Sequence, residues 1–181
     1  MIATDRIGDW IQTASGRAFF PMDPRPSEID LFDIAHALSN QCRYGGHCSS
    51  FYSVAEHSVH VSHQVPPEHA ITALMHDATE AYCVDVPRPL KRFLHGYADI
   101  ERNLWSAVAE RFGLPQVMHD SVHAADNAVL LAEKAQLLGE SPAEWTWARD
   151  ITPADVRIEF WTPNEAKHKF LARYFELWGA A

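Results

Sequence analysis

Apolar residues recur every three or four positions along most of the chain, which is the spacing that one face of a helix requires. Proline and glycine divide this pattern into segments. The first predicted helix covers residues 28–38, and the second runs from Ser53 to the proline at 66. The third begins at Pro67 and carries Ile71, Leu74 and Met75. The fourth and fifth cover residues 97–112 and 119–138. Gly113 follows the fourth of these and is expected to end it. The stretch 86–90, with two prolines, is expected to be a turn.

Two further helix starts are predicted near the C-terminus. Both Ser141-Pro142-Ala143-Glu144 and Thr162-Pro163-Asn164-Glu165 have the order of a capping box, with a hydroxyl residue before proline and glutamate at the third helical position. They predict C-terminal helices within residues 142–178, the last ending near Trp178.

The N-terminal residues differ from the rest of the chain because glycine and proline interrupt every long period before residue 27. A short edge hairpin around Ala18, Phe19 and Phe20 could form there. We found no repeat, low-complexity tract or linker that would divide residues 1–181. The pattern therefore predicts an all-α fold, a single compact helical bundle with an optional N-terminal hairpin.

Composition and charge narrow the function. The 181 residues carry a net charge of −9, which disfavours broad binding to polymeric nucleic acid, since that mode needs a basic surface. A small anionic ligand in a local basic pocket is still compatible with this charge. No apolar run approaches the roughly 20 residues needed to span a bilayer, and the N-terminus lacks the pattern of a signal peptide. We therefore expect no membrane partner and a cytoplasmic protein.

Two His-Asp pairs occur, and their contexts differ. His76-Asp77 ends the apolar run 71–75, where an ionisable pair is costly to bury without compensation. His119-Asp120 opens a predicted helix, where an acid suits the helix dipole. A bound divalent cation would compensate the first pair, because it accepts both a carboxylate and a neutral imidazole. His76 and Asp77 are therefore candidate metal ligands.

Charged residues of both signs follow this pair closely. Glu80 is predicted to share a helix face with His76 and Asp77, and Asp85 follows it. A basic group comes next and comprises Arg88, Lys91 and Arg92. Metal ligands, spare carboxylates and phosphate-binding cations within so short a segment are typical of phosphoester hydrolysis.

The ordered set His57, His76-Asp77 and Asp126 resembles the H…HD…D arrangement of the HD superfamily of metal-dependent phosphohydrolases. Within it, the run from His76 through Asp85-Val86-Pro87 to Lys91 is most similar to bacterial 5′-deoxynucleotidases and phage dATP triphosphohydrolases. An arginine followed by an aromatic residue also precedes the first histidine, as Arg43-Tyr44 does here. The resemblance covers about residues 28–138.

The resemblance implies roles for individual residues. His57, His76, Asp77 and Asp126 would hold one divalent transition metal, for which Zn, Mn and Co are all suited. Glu80 would orient or deprotonate the attacking water, and Asp85 would position that water or protonate the leaving 5′-oxygen. The implied substrate-binding residues are Arg43, Tyr44, Arg88, Pro89 and Lys91. The implied reaction is hydrolysis at the α-phosphorus of a deoxynucleotide, releasing the nucleoside with phosphate or triphosphate, by a homo-oligomeric enzyme.

Two other functions stay open on sequence alone. A dinuclear-iron oxygenase or phosphodiesterase of the same superfamily would need further histidines, and His95, His119 and His123 are available. A non-catalytic nucleotide sensor would keep the metal ligands without turnover. The aromatic residues between Trp145 and Trp178 are expected to serve core or dimer packing, and we assign them no ligand.

Overall fold

The computed structural model describes residues 5–179, and it is predominantly helical. The hairpin strands are β1 (Ile11–Gln12) and β2 (Ala18–Phe19); the helices are α1 (Leu31–Asn40), α2 (Val54–Ser62), α3 (Ala70–Met75), α4 (Glu80–Cys83), α5 (Arg88–Lys91), α6 (Tyr97–Phe112), α7 (Asp120–Leu137) and α8 (Pro163–Gly179). The predicted all-α fold with a short N-terminal hairpin is confirmed. Within residues 5–179, no helix has both the length and the apolar character that crossing a membrane requires.

The hairpin is antiparallel and packs onto the helical core. Ile11 pairs with Phe19, and Gln12 pairs with Ala18. The Phe19 side chain is fully buried, and its ring stacks on Tyr82 of α4 at a centroid distance of 3.9 Å. The strand pair is thus held by an aromatic contact to a helix, since two short strands alone are not stable in water.

Helix α2 lies at the centre of the bundle. It packs against α1, α3, α7 and α8, and eight of its nine residues are buried. The apolar core around it includes the fully buried Ile34, Leu38, Leu74 and Phe170. A helix surrounded on every side must satisfy its polar side chains within the protein, because water cannot reach them. Glu56 and His57 are the ionisable side chains on the buried part of α2.

Several helix boundaries follow the predicted signals. Ser53 caps α2 at the predicted start by accepting a backbone N–H, whereas α1 begins at Leu31 instead of residue 28, because Asp30 accepts the Phe32 N–H as its cap. Gly113 ends α6 in a left-handed conformation with φ of 65°. The capping box at α8 is confirmed, because Thr162 donates to Glu165 through its backbone N–H at 2.9 Å and the Thr162 hydroxyl accepts from the Glu165 N–H at 3.4 Å.

The predicted helix start at Ser141 is wrong. The Ser141 hydroxyl donates to the Ala143 carbonyl at 2.6 Å instead of capping a helix, and Glu144 pairs with Arg149. The chain between α7 and α8 is irregular except for a 3-10 turn at Thr146–Ala148. A capping box is a local signal, and the segment lacks the buried apolar face that would stabilise a helix after it.

Glu56 fastens the irregular C-terminal segment to the centre of the fold. Its fully buried carboxylate accepts the backbone N–H groups of Glu159 at 2.9 Å, Phe160 at 3.1 Å and Trp161 at 2.9 Å. Phe160 has a positive φ of 57°, which turns the three N–H groups toward one acceptor. Hydrogen bonds to an ionised acceptor are stronger than neutral ones, so this contact orients the chain entering α8.

We therefore predict that Glu56→Gln destabilises the protein by about 1.5–3 kcal/mol, the contribution of hydrogen bonds to a charged group. The substituted amide can still accept two of the N–H groups, but its NH2 group would face the Trp161 N–H, donor against donor. Urea unfolding followed by circular dichroism measures the change. Glu68→Gln, at an exposed position, is the matched control. Equal stability of the two variants would show that the Glu56 contact contributes nothing.

Candidate metal centre

Three helical segments bring potential ligands together beside α2. His57 lies on α2, His76 directly follows α3, and Asp126 lies on α7. One ligand atom from each lies within 4.8 Å of the others. The His57 Nε2 atom is 3.2 Å from Asp126 Oδ1, and the His76 Nε2 atom is 4.0 Å from the same oxygen. This group could hold a metal ion, as the sequence predicted for these three residues.

Both imidazole rings are held through their Nδ1 atoms. His57 Nδ1 lies 2.5 Å from a Glu133 oxygen, and His76 Nδ1 lies 2.7 Å from the Ala73 carbonyl. Both Nε2 atoms are buried and have no hydrogen-bond partner among residues 5–179. Because each acceptor fixes the proton on Nδ1 in the neutral ring, each Nε2 presents its lone pair to the centre of the group. The donor set could therefore hold a metal ion.

Asp77, the fourth predicted ligand, lies against both rings. Its Oδ1 atom is 3.3 Å from His76 Nε2, its Oδ2 atom is 3.6 Å from His57 Nε2, and Arg43 Nη1 is 3.5 Å from Oδ2. The prediction that Asp77 and Glu80 share one continuous helix with His76 is wrong, because α3 ends at Met75 and turns separate it from α4. The turn keeps the Glu80 N–H bonded to the Asp77 carbonyl at 2.9 Å.

A fully buried carboxylate, Glu133, supports the centre from behind His57. Besides the His57 ring, it accepts Arg43 Nε at 3.2 Å, the Tyr44 hydroxyl at 2.7 Å and the Tyr52 hydroxyl at 2.8 Å. Burial alone would raise the pKa of Glu133, but the charges of Arg43 and His57 outweigh it and lower the pKa to about 2. Glu133 is therefore ionised, and it fixes the side chain of His57.

Sequence reasoning missed Glu133. The available signal was its position seven residues after Asp126, which places the two carboxylates two turns apart on one face of α7. An acid on a long helix is usually solvent-exposed, so the spacing alone was not decisive.

The charges of the centre are strongly coupled. Burial and the positive charge of Arg43 lower the pKa of His57, but the adjacent carboxylates outweigh both and raise it to about 9. Burial would raise the pKa of Asp126, whereas the proximity of His57 and His76 lowers it well below its usual range. A bound cation would replace the proton on His57 as the partner of these carboxylates, since a metal ligand must be the neutral imidazole.

Of the two predicted catalytic acids, Glu80 begins α4 and Asp85 follows its end. Glu80 is buried, its Oε2 atom has no partner among the described residues, and burial together with the negative charges of Asp77 and Asp85 raises its pKa well above the usual value. Gln41, which sequence reasoning also missed, donates to the Glu80 carbonyl at 2.9 Å and accepts the Asp85 N–H at 3.2 Å. Between them Val84 has a strained positive φ of 60°, so Gln41 fixes a turn that is unfavourable by itself.

A cavity of about 530 Å³ opens onto the centre. Its lining comprises Arg43, Tyr44, Asp77, Glu80, Asp85, Val86, Pro87, Arg88, Pro89, Lys91, Asp126, Leu130, Glu144, Trp145, Thr146 and Trp147. The structure thus brings every predicted catalytic and substrate-binding residue to one cavity, with His57 buried beneath it. Pro89 belongs to α5, a single helical turn within the stretch that was predicted as a turn. The individual roles stay predictions.

The cations of the cavity are already engaged with carboxylates. Arg43 contacts Glu133 and Asp77, as described above. Lys91 Nζ lies 2.8 Å from Glu101 and 3.9 Å from Glu80. Arg88 Nη2 donates to Asn127 at 3.1 Å and lies 3.9 Å from Asp126 Oδ2. Arg92, which followed these in the sequence, does not line the cavity and lies over the Phe93 ring.

Aromatic residues near the C-terminus lie in three environments. Trp161, Phe170 and Tyr174 are buried in the core, in line with the core packing expected of them. Trp145 and Trp147 line the cavity instead of the core, and Phe160, Phe175 and Trp178 are exposed. The sequence prediction missed the positions of Trp145 and Trp147 because it placed a helix from Ser141. The irregular segment that forms there instead determines where both indoles lie.

Comparison with known proteins places the chain in a family. No protein-family model matches it. It is 40% identical over 169 residues to YfdR of Escherichia coli K12, an alignment that covers 93% of this chain and 95% of YfdR. The chain belongs to the YfdR family. It is also 32% identical over 186 residues to RCAP_rcc00048 of Rhodobacter capsulatus, with 93% of this chain and 95% of that protein covered. Both relatives are named as uncharacterized proteins, so membership of the YfdR family alone assigns no activity to this chain.

We predict that Glu133→Gln weakens metal binding by about 10- to 100-fold, the usual cost of removing the partner that orients a histidine ligand. Calorimetric titration of metal-free protein with Zn²⁺ or Mn²⁺ measures the affinity. Glu140→Gln, at an exposed position near the same helix end, is the matched control. Unchanged affinity in a folded Glu133→Gln variant would contradict the orienting role, and circular dichroism establishes that the variant is folded.

Proposed function

We propose that the protein is a metal-dependent phosphohydrolase of the HD type that acts on the 5′ phosphate ester of deoxynucleotides in the cytoplasm. The observation that carries the proposal is the pair of buried, unpartnered Nε2 atoms of His57 and His76, which face the carboxylates of Asp77 and Asp126 at the base of a cavity. Two neutral imidazoles and two carboxylates form a ligand set suited to Zn, Mn or Co. Such an ion would polarise a phosphoryl oxygen and lower the pKa of a water molecule.

Glu80 is proposed as the residue that moves the proton of the attacking water. Its carboxyl group is buried, and burial together with the negative charges of Asp77 and Asp85 raises its pKa well above the usual value. A raised pKa makes a carboxylate a stronger base toward a water molecule. Asp85, held by Gln41 on the same cavity wall, is proposed to protonate the leaving 5′-oxygen.

Arg43 and Lys91 are proposed to bind phosphate oxygens. Arg43 is nearly fully buried beside Asp77, and Lys91 lies within 3.9 Å of Glu80. A buried guanidinium suits a phosphate because it offers several donors in a fixed plane. Tyr44 has its hydroxyl tied to Glu133 and its ring 5.6 Å from the Arg43 guanidinium, so it would position Arg43 as well as border the substrate.

One observation bears on the dinuclear alternative. Among residues 5–179, the group that could hold a metal comprises His57, His76 and Asp126. The histidines that a second ion would need are exposed and lie outside it: His95, His119 and His123. This arrangement supports the mononuclear hydrolase over the dinuclear oxygenase.

Substitutions separate metal binding from chemistry. We predict that Asp77→Ala removes both bound metal and activity, whereas Glu80→Ala retains the metal and loses at least about 100-fold in turnover, the contribution of a general acid-base. Metal content by mass spectrometry and hydrolysis of deoxynucleotides give the two readings. Glu110→Ala, at an exposed position on α6, is the control. Metal loss in Glu80→Ala, or full turnover in either variant, would contradict these roles.

The reaction itself is tested with metal-loaded protein and a panel of deoxynucleoside mono-, di- and triphosphates. We expect free deoxynucleoside, accompanied by phosphate from a monophosphate or by intact triphosphate from a dNTP. Prior removal of the metal with a chelator should abolish product formation, and added metal should restore it. Substrate binding without product under every metal tested would favour the nucleotide sensor.

A further inference from the structure

We propose that Trp145 and Trp147 form the subsite for the nucleobase, so that the cavity selects phosphate esters that carry an aromatic base. This inference rests on the proposed function and extends it to the part of the substrate that does not react. Neither tryptophan belongs to the motifs that pointed to phosphohydrolysis, which end before residue 139.

The two indoles are stacked beside each other where they line the cavity, and Lys134 Nζ lies 4.6 Å from the centre of the Trp145 ring. Their ring centroids are 5.9 Å apart, and their planes differ by 27°. Both line the cavity together with the intervening Thr146, and Trp147 keeps 44% of its surface exposed. An exposed indole that lines a cavity can offer its aromatic face to a ligand.

Arg88 connects this surface to the metal centre. Its Nη2 atom lies 3.9 Å from Asp126 Oδ2, and its guanidinium carbon lies 4.6 Å from the centre of the Trp147 ring. The aromatic surface is therefore one side chain away from a metal ligand. In a nucleotide, one sugar ring separates the phosphate from the base, so the base of a nucleotide whose phosphate lies at the centre would be within reach of this wall.

The cavity lining combines two kinds of group. Metal-ligating and acidic side chains line it together with the apolar side chains of Trp145, Trp147, Pro87 and Leu130. A sugar phosphate would use only the polar groups. A nucleotide has a charged end and a flat aromatic end, which matches both. Any base can stack on an aromatic side chain, so the two indoles favour substrates that carry a base without selecting one base over another.

A matched pair of substrates tests the inference. Deoxyadenosine monophosphate and 2-deoxyribose 5-phosphate share the reacting ester and the sugar, and only the first carries a base. For Trp147→Ala we expect kcat/KM on the nucleotide to fall about 10-fold or more, the effect of losing one base-aromatic stack. Activity on the base-free ester should stay within about twofold of the unsubstituted protein, because the metal centre is intact. Trp147→Phe should retain part of the nucleotide activity.

Controls make the outcome specific. Trp10→Ala removes another half-exposed indole, far along the chain and outside the cavity lining, and should change neither activity. Equal loss on both esters in Trp147→Ala would overturn the inference, since the tryptophan would then support the centre and not the base. An unchanged nucleotide kcat/KM in the Trp145→Ala, Trp147→Ala double variant would overturn it as well.

A binding measurement separates this inference from the proposed function. Titration of metal-loaded protein with deoxyadenosine monophosphate should quench tryptophan fluorescence, and the quenching should disappear in the double variant. The base-free ester should cause no quenching. If the protein binds the nucleotide in this way and hydrolyses neither ester, the hydrolase proposal fails while the base subsite stands. If both esters are hydrolysed with equal efficiency and without quenching, the base subsite fails alone.

Discussion

The buried carboxylate of Glu133 is the interaction on which the centre depends. It joins α7 to α2 through His57 and reaches Arg43 and two tyrosines on the segment before α2. A lone carboxylate in this position would be expensive to bury, and four donors offset that cost only if all are in place. The packing of α7 on α2, the orientation of the His57 ring and the position of Arg43 are therefore coupled, so a change in one disturbs the others.

Helix α2 carries a second buried acid for a different purpose. Glu56 precedes His57 in the chain and holds the backbone before α8, while His57 faces the metal centre. Adjacent residues on a helix point in directions about 100° apart, so the two contacts leave α2 on different sides. The central helix is thereby fixed against both α8 and α7, and its rotation, which would move the Nε2 atom of His57, is prevented by charge as well as by apolar packing.

Sequence reasoning recovered most of the helices and three residues of the centre because their signals are periodic or contextual. His76 was conspicuous since it ended an apolar run, and capping residues marked α2 and α8. Sequence reasoning failed where tertiary contacts determine the position of a residue. Glu133 resembles a surface acid until its partners are known, and Ser141 has the residues of a helix cap without an apolar face to bury. Trp145 and Trp147 lie outside the core for the same reason, because their positions depend on a loop conformation.

The charges around the cavity also constrain how an anion could enter it. Five carboxylates line it, from Asp77, Glu80, Asp85, Asp126 and Glu144, against three cations from Arg43, Arg88 and Lys91. Arg43 and Lys91 already contact acids, so their charges are partly compensated. The carboxylates of the lining outnumber its arginines and lysine, and this balance does not attract a phosphate ester. In the proposed hydrolase a divalent cation would make the electrostatic potential beside its ligands positive. Metal binding would therefore precede substrate binding. The arginine and lysine side chains of the lining would then orient the phosphate that the metal attracts.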